Sequence, residues 1–295
     1  MSVASFLLDW SFPPNVVVGL VLVAALYTRG LRDLARRGRF GRVVKRRHVA
    51  YFTLGLLAVL VALTSPLDTL DERLFTLHMA QHMVLLMVAP PLLLLGKPVQ
   101  VLLLGMPRGL ARAVARTHHR TLWLRGLTRR LTAPLVAWLL YNAGLLLWHL
   151  PALYDATLRS DGVHLLEHLY FLGTGLLFWW VIVEPMPGPS RLHPGLRLIY
   201  VWAAAIPNAL LGMIFATKDT VVYPFYAWRQ PLWGIAPIDD QHLAGLVMAL
   251  PGDLIEFIAG AVLFFALMTP DTDLILNDAE HIAHQVSDFS AFIRR

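Results

Sequence analysis

LFTLHMAQHMVLLMVAPPLLLL occupies residues 74–95, and these 22 residues contain no Asp, Glu, Lys or Arg. A helix needs roughly 20 apolar residues to cross the hydrocarbon core of a bilayer. The stretch therefore predicts a membrane-spanning helix, with His78 and His82 near one of its ends. Comparable stretches give seven predicted spans in all, at residues 15–28, 49–64, 74–95, 133–150, 163–183, 196–216 and 241–268.

The composition of the whole chain agrees with this fold class. Of its 295 residues, 57% are hydrophobic and 15% are charged, whereas a soluble domain carries about 25% charged residues. The absence of cysteine excludes disulfides, thiolate zinc sites and cysteine-ligated iron–sulfur clusters. The sequence thus predicts an all-α integral membrane protein, a seven-transmembrane-helix bundle whose metal sites would use His, Met, Asp or Glu.

The basic residues are concentrated on one predicted side of the membrane. Residues 29–48 hold nine Lys/Arg and one acid, and residues 96–132 hold eight Lys/Arg and no acid. The opposite side has only four basic residues, Arg73, Arg159, Lys218 and Arg229. By the positive-inside rule, the N-terminus lies outside and the C-terminus is cytoplasmic. The net charge of +6 therefore indicates membrane topology, and no nucleic-acid partner is expected.

The chain divides into a membrane domain, residues 1–270, and a cytoplasmic acidic tail, residues 271–295. Within the membrane domain, the cytoplasmic segment 96–132 repeats arginine at every fourth position, at Arg108, Arg112, Arg116 and Arg120. This pattern predicts a basic amphipathic helix that lies on the anionic inner leaflet of the lipid bilayer. The sequence leaves a homo-oligomer open.

Six histidines fall in the outer halves of four predicted spans: His78, His82, His149, His164, His168 and His242. Ionisable side chains within a membrane are costly and usually face a bundle interior or a wet cavity. A spacing of four places His78 beside His82, and His164 beside His168, each pair on one helix face. Single histidines here are explained well by contact with interfacial water or interhelical hydrogen bonds, but six at one depth favour a shared metal or redox site.

Methionines accompany these histidines. Met79 and Met83 alternate with the first pair, and Met248 lies about two turns inside His242. Imidazole and thioether ligands suit copper, especially Cu(I), although methionine is also an ordinary packing residue. Zinc would accept the histidines without explaining the methionines, and heme with two histidine ligands is the main alternative.

Several of these stretches resemble the polytopic cytochrome c oxidase assembly factors of the CtaG type, which are associated with caa3-type oxidases. The matching stretches are His78-Met-Ala-Gln-His82 with Ala89-Pro90-Pro91, His164-Leu-Leu-Glu-His168, Tyr223-Pro224 and Asp240-Gln241. The resemblance implies a role in maturing a heme-copper oxidase at its copper centres, in a bacterial plasma membrane, with oxidase subunits as partners. It places the histidine pairs of the family on His78, His82, His164 and His168, and its Asp-Gln motif on Asp240 and Gln241.

The sequence lacks the motifs of several enzyme classes. Phosphate-binding loops, a nucleophile elbow and a zincin motif are absent from it, so we expect a protein without enzymatic activity. Three hypotheses stay open: a copper-handling assembly factor, a membrane b-type heme oxidoreductase, and a metal-free scaffold or transporter. The metal candidates of the first hypothesis are His78, His82, His149, His164, His168, His242, Met79, Met83, Asp240 and Met248.

Overall fold

The structure is a computed structural model that describes residues 3–186, 192–228 and 231–268. Within these ranges every named element is a helix; the acidic tail predicted at residues 271–295 lies outside them. In chain order the elements are α1 (Val3–Leu7), α2 (Pro14–Arg36), α3 (Arg46–Thr64), α4 (Pro66–Thr69), α5 (Phe75–Met83), a π-helical turn (Val84–Val88), α6 (Ala89–Leu95), α7 (Pro98–Gly105), α8 (Arg108–Arg120), α9 (Leu122–Leu131), α10 (Pro134–Trp148), α11 (Pro151–Thr157), α12 (Asp161–Val183), α13 (Pro194–Thr217), α14 (Pro224–Ala227) and α15 (Pro237–Met268).

Six of the described helical segments are long and apolar enough to cross a membrane. They are Pro14–Arg36, Arg46–Thr69, Phe75–Leu95, Asp161–Val183, Gly195–Thr217 and Pro237–Met268. The pair α9 and α10, bent by 63°, adds a seventh if it crosses as one span. The all-helical fold is thereby confirmed, and its six or seven candidate spans fit a multi-pass membrane protein. The count of seven spans and the orientation of the termini stay predictions.

The third predicted span changes its helical geometry halfway along. The π-helical turn separates α5, which carries His78 and His82, from α6, which begins at the Ala89-Pro90-Pro91 motif. Proline has no backbone N–H and its ring clashes with the carbonyl four residues earlier, and those carbonyls belong to Leu86 and Met87 within the turn. The two prolines therefore account for the wide turn directly below the histidines.

The basic segment 96–132 contains three helices rather than one. The first, α7, is apolar, and its Val101 is fully buried in a cluster with Tyr27 of α2 and Phe52 of α3. The second, α8, carries the four predicted arginines, and all four are exposed. Such an exposed basic helix has the character expected of a segment that lies on an anionic lipid surface.

A close approach at Gly175 sets the separation between α12 and the third span. A Cβ on Gly175 would lie 2.8 Å from the Leu86 carbonyl oxygen and 2.8 Å from Pro90 Cγ, whereas a Cβ on Gly173 would meet nothing within 4 Å. Small residues at such crossings let helix backbones approach in membranes. Gly175 lies seven residues, or about two turns, after His168, so this contact holds the α12 histidines against those of α5.

Gly175→Ala is expected to lower the free energy of unfolding by about 1–3 kcal/mol, the usual cost of overpacking a core. The same change at Gly173 should be neutral or stabilising, since alanine has the higher helix propensity by about 1 kcal/mol. The midpoint of thermal unfolding in detergent measures both variants. Equal midpoints for the two would contradict a packing role for Gly175.

Candidate metal centre

The N-terminal end of α5 is held against the start of α15 by Asp240. Its carboxylate accepts hydrogen bonds from the backbone N–H of Phe75 at 2.6 Å and of Thr76 at 3.1 Å. The Thr76 hydroxyl donates to the same carboxylate at 2.6 Å. Asp240 thus caps the N-terminus of α5, where unpaired N–H groups favour a carboxylate. Because His78 lies in the first turn of α5, this cap also fixes the position of His78 in the bundle.

Four side chains from α5 and α12 converge below this cap. Each of His78, His82, His164 and Glu167 offers one ligand atom, and these atoms all lie within 4.8 Å of one another. Glu167 Oε2 lies 3.5 Å from His82 Nε2 and 3.7 Å from His78 Nε2. This group, which we call the His/Glu cluster, brings together residues from both predicted histidine pairs.

The polar atoms of the His/Glu cluster lack ordinary hydrogen bonds. Within the described part of the chain, both ring nitrogens of His78 and of His82, Nε2 of His164 and both oxygens of Glu167 are buried without a hydrogen-bond partner. His78 and Glu167 are 0% exposed and His82 is 1% exposed. Each such buried group costs about 1–3 kcal/mol when it is left unsatisfied. The donor set, three imidazoles and a carboxylate, fits a transition-metal ion such as copper or zinc, which would satisfy several of these atoms at once.

Asp71 joins the cluster from the connection between α4 and α5, and the sequence did not single it out. Its Oδ2 lies 3.3 Å from His164 Nε2 and 3.7 Å from His78 Nδ1. Burial raises the pKa of this carboxyl to about 7, an effect that the neighbouring His78 opposes. The Tyr226 hydroxyl donates to the Asp71 carbonyl oxygen at 2.7 Å and holds the connection in place. The sequence signal for Asp71 was its position, an acid only three residues before the predicted span.

His168 lies at the edge of the His/Glu cluster. Its ring centroid is 4.0 Å from that of His164 and 5.7 Å from that of His82. Its Nε2 is buried without a hydrogen-bond partner in the described residues. His168 therefore packs beside the cluster and is not one of its four residues.

His149 and Met79 meet each other beside the cluster. His149 Nε2 lies 3.2 Å from Met79 Sδ, and the ring centroid of His149 is 6.2 Å from that of His82. Met83 is buried on the same helix, and its sulfur lies 3.4 Å from the position that a Cβ on Gly252 would occupy. The two predicted methionines of α5 therefore have different surroundings.

Two further predicted residues have other contacts. A ring nitrogen of His242 donates to the Lys218 carbonyl oxygen at 3.1 Å, and the carbonyl oxygen of the buried Met248 accepts from Asn208 at 2.9 Å. Gln81, which lies three residues after His78, donates to the Ala62 carbonyl oxygen and to Asp68. Its counterpart Glu167 faces the rings directly.

Comparison with known proteins gives a family for this arrangement. The family model described as "Cytochrome c oxidase caa3 assembly factor (Caa3_CtaG)" matches residues 25–269, which include every member of the His/Glu cluster. No solved structure matches the chain significantly.

The chain is also similar to curated mycobacterial proteins that have no assigned function. It is 32% identical over 248 residues to the uncharacterized protein Mb0105 of Mycobacterium bovis and to the uncharacterized protein MT0111 of Mycobacterium tuberculosis. It is 28% identical over 250 residues to the uncharacterized protein ML1998 of Mycobacterium leprae. Each match covers 83% of this chain and 37% of the length of the relative. On the family match, this chain belongs to the cytochrome c oxidase caa3 assembly factor family.

Proposed function

We propose that this protein holds copper at the His/Glu cluster and aids its delivery or insertion at the copper centres of a cytochrome c oxidase. The assembly role comes with the family; the copper cargo is the proposal. The protein would act in a bacterial plasma membrane, with oxidase subunits as partners and the basic helix α8 on the inner leaflet.

The observation that carries the proposal is the set of buried, unpaired ligand atoms from two helices. A metal-free structural role would leave ring nitrogens of three histidines and both oxygens of Glu167 buried without hydrogen bonds among the described residues, which is costly. Copper(II) is the tightest-binding divalent ion of the first transition row, and imidazole is among its preferred ligands. Asp71 and Asp240 then have supporting roles, the first beside the rings and the second at the α5 cap.

The spacing of the rings favours a bare ion over heme. The ring centroids of His78 and His164 are 5.0 Å apart, and those of His164 and His168 are 4.0 Å apart. The direct contact of α12 with the third span at Gly175 also closes the space below them. A porphyrin macrocycle would need the helices to separate, whereas a single ion fits among atoms that already lie within 4.8 Å of one another.

Metal analysis of the detergent-purified protein after loading with Cu(II) tests the proposal. We expect about one tightly held copper ion, which the His78→Ala/His82→Ala variant loses because two of its ligands are gone. His242→Ala is the matched control, since a ring nitrogen of His242 bonds to the Lys218 carbonyl oxygen and His242 is not part of the His/Glu cluster, and it should keep the ion. A visible spectrum of the same preparation should lack a Soret band.

Three results would overturn the proposal. Copper retained by the double variant would place the ion elsewhere, and a strong Soret band with stoichiometric heme would support the b-type heme oxidoreductase. Complete absence of metal binding would leave the metal-free scaffold as the function.

A further inference from the structure

His149 is held in a defined tautomer at the end of α10. Its Nδ1 lies 2.7 Å from the Leu145 carbonyl oxygen, and a carbonyl oxygen can only accept. Nδ1 therefore carries the proton, and in the neutral ring Nε2 presents its lone pair. His149 is only 4% exposed, so the ring is buried.

The lone pair of His149 Nε2 faces a second lone pair. Met79 Sδ lies 3.2 Å away, and a thioether sulfur has no proton to donate. Met79 is 0% exposed. Two buried acceptors at this distance repel unless a cation lies between them.

A proton is a poor cation for this position. It would create a buried imidazolium whose new N–H has only a weak thioether acceptor. The rings of Phe171, Tyr154 and Phe215 surround it at centroid distances of 6.4, 6.2 and 6.0 Å. A protonated ring in such surroundings is costly unless its new N–H is hydrogen-bonded, whereas a metal ion would bind the lone pairs of both atoms directly.

A soft metal ion suits both atoms. Cu(I) prefers thioether ligands, and imidazole also suits copper. The two atoms are 3.2 Å apart, which is within reach of one ion bound to both, since metal–nitrogen and metal–sulfur bonds are about 2.0 and 2.3 Å long.

We propose that His149 Nε2 and Met79 Sδ form a second, soft subsite that takes Cu(I) and lies one side chain away from the His/Glu cluster. The inference rests on the proposed function for the identity of the cargo. The ring centroids of His82 and His149 are 6.2 Å apart, which places the subsite directly beside the cluster. The nitrogen and oxygen ligands of the cluster suit Cu(II), whereas the subsite suits Cu(I).

Anaerobic titration of the purified protein with Cu(I), against a colorimetric Cu(I) chelator, tests the subsite. Met79→Leu conserves volume, which cores tolerate well, and we expect it to weaken one Cu(I) equivalent at least about tenfold, as loss of a ligand should exceed loss of an outer-shell partner. His149→Leu should lose the same equivalent. Met87→Leu is the matched control, because Met87 is also 0% exposed and its sulfur lies near Gly252.

X-ray absorption at the copper edge supplies an independent readout. The Cu(I) spectrum should contain a sulfur shell that disappears in Met79→Leu and persists in Met87→Leu. Should Met79→Leu lower the thermal midpoint strongly, His149→Leu provides the same comparison from the other ligand.

The outcomes separate this inference from the proposed function. If Glu167→Gln abolishes Cu(II) binding while Met79→Leu and His149→Leu leave Cu(I) binding and the sulfur shell unchanged, the subsite is wrong and the cluster stands. If Met79→Leu removes the sulfur shell while Glu167→Gln leaves Cu(II) binding intact, the subsite stands and the cluster proposal fails.

Discussion

The Glu167→Gln variant is expected to bind Cu(II) at least about 100-fold more weakly than the unsubstituted protein. Glu167 is the only carboxylate of the His/Glu cluster, it is fully buried, and it lies within 3.7 Å of ring nitrogens of both His78 and His82. Glutamine keeps the shape but removes the negative charge that offsets the charge of the ion. Changes to the outer-shell partners of metal ligands alone cost 10–100-fold in affinity, so the loss of an anionic ligand should exceed the upper end of that range.

Glu256→Gln is the matched control for this measurement. Glu256 is also 0% exposed, on α15, and its Oε1 accepts from the Tyr141 hydroxyl at 3.4 Å. The two variants make the same chemical change at equal burial, and only one touches the cluster. A competition titration with a chelator of known copper affinity gives both dissociation constants. Equal affinities in the two variants would show that Glu167 is no ligand.

In cells, the His78→Ala/His82→Ala variant is expected to abolish the maturation of the client oxidase. The measurement is cytochrome c oxidase activity in membranes of a bacterial strain that lacks this chain and is complemented with each variant. The double variant should restore no more activity than the empty vector, because the copper cargo has no site. His242→Ala should restore activity to the level of the unsubstituted protein.

Immunoblots of the same membranes must show equal amounts of each variant. Full oxidase activity with the double variant at normal abundance would contradict the copper role and favour a scaffold that binds oxidase subunits. The binding measurement therefore tests whether the cluster holds copper, and the cellular measurement tests whether that copper is needed for oxidase maturation.

The spans were predictable from apolar length, but their ends were not. The first predicted span covers residues 15–28, whereas α2 continues to Arg36, because arginines outside the hydrocarbon core do not end a helix. The fourth predicted span covers residues 133–150, whereas α10 ends at Trp148 and follows the bent helix α9. The π-helical turn at Val84–Val88 follows from the prolines after it, yet no hydropathy pattern specifies it.

The pair His78 and His82 on α5, and the pair His164 and His168 on α12, were predictable because a four-residue spacing places two side chains on one helix face. Contacts that depend on tertiary packing were not. Asp71 reaches the rings from a connection without periodicity, and Asp240 uses its carboxylate to cap α5. The contact between Met79 and His149 joins residues 70 positions apart, and no local sequence pattern specifies it.

The most direct test of a copper site built from imidazoles and a carboxylate is the copper-edge X-ray absorption spectrum of the protein loaded with one equivalent of Cu(II). We predict a first shell of nitrogen and oxygen atoms only, with the outer-shell scattering of about three imidazole rings from His78, His82 and His164. A spectrum without imidazole scattering, or one that is unchanged in the His78→Ala/His82→Ala variant, would contradict it.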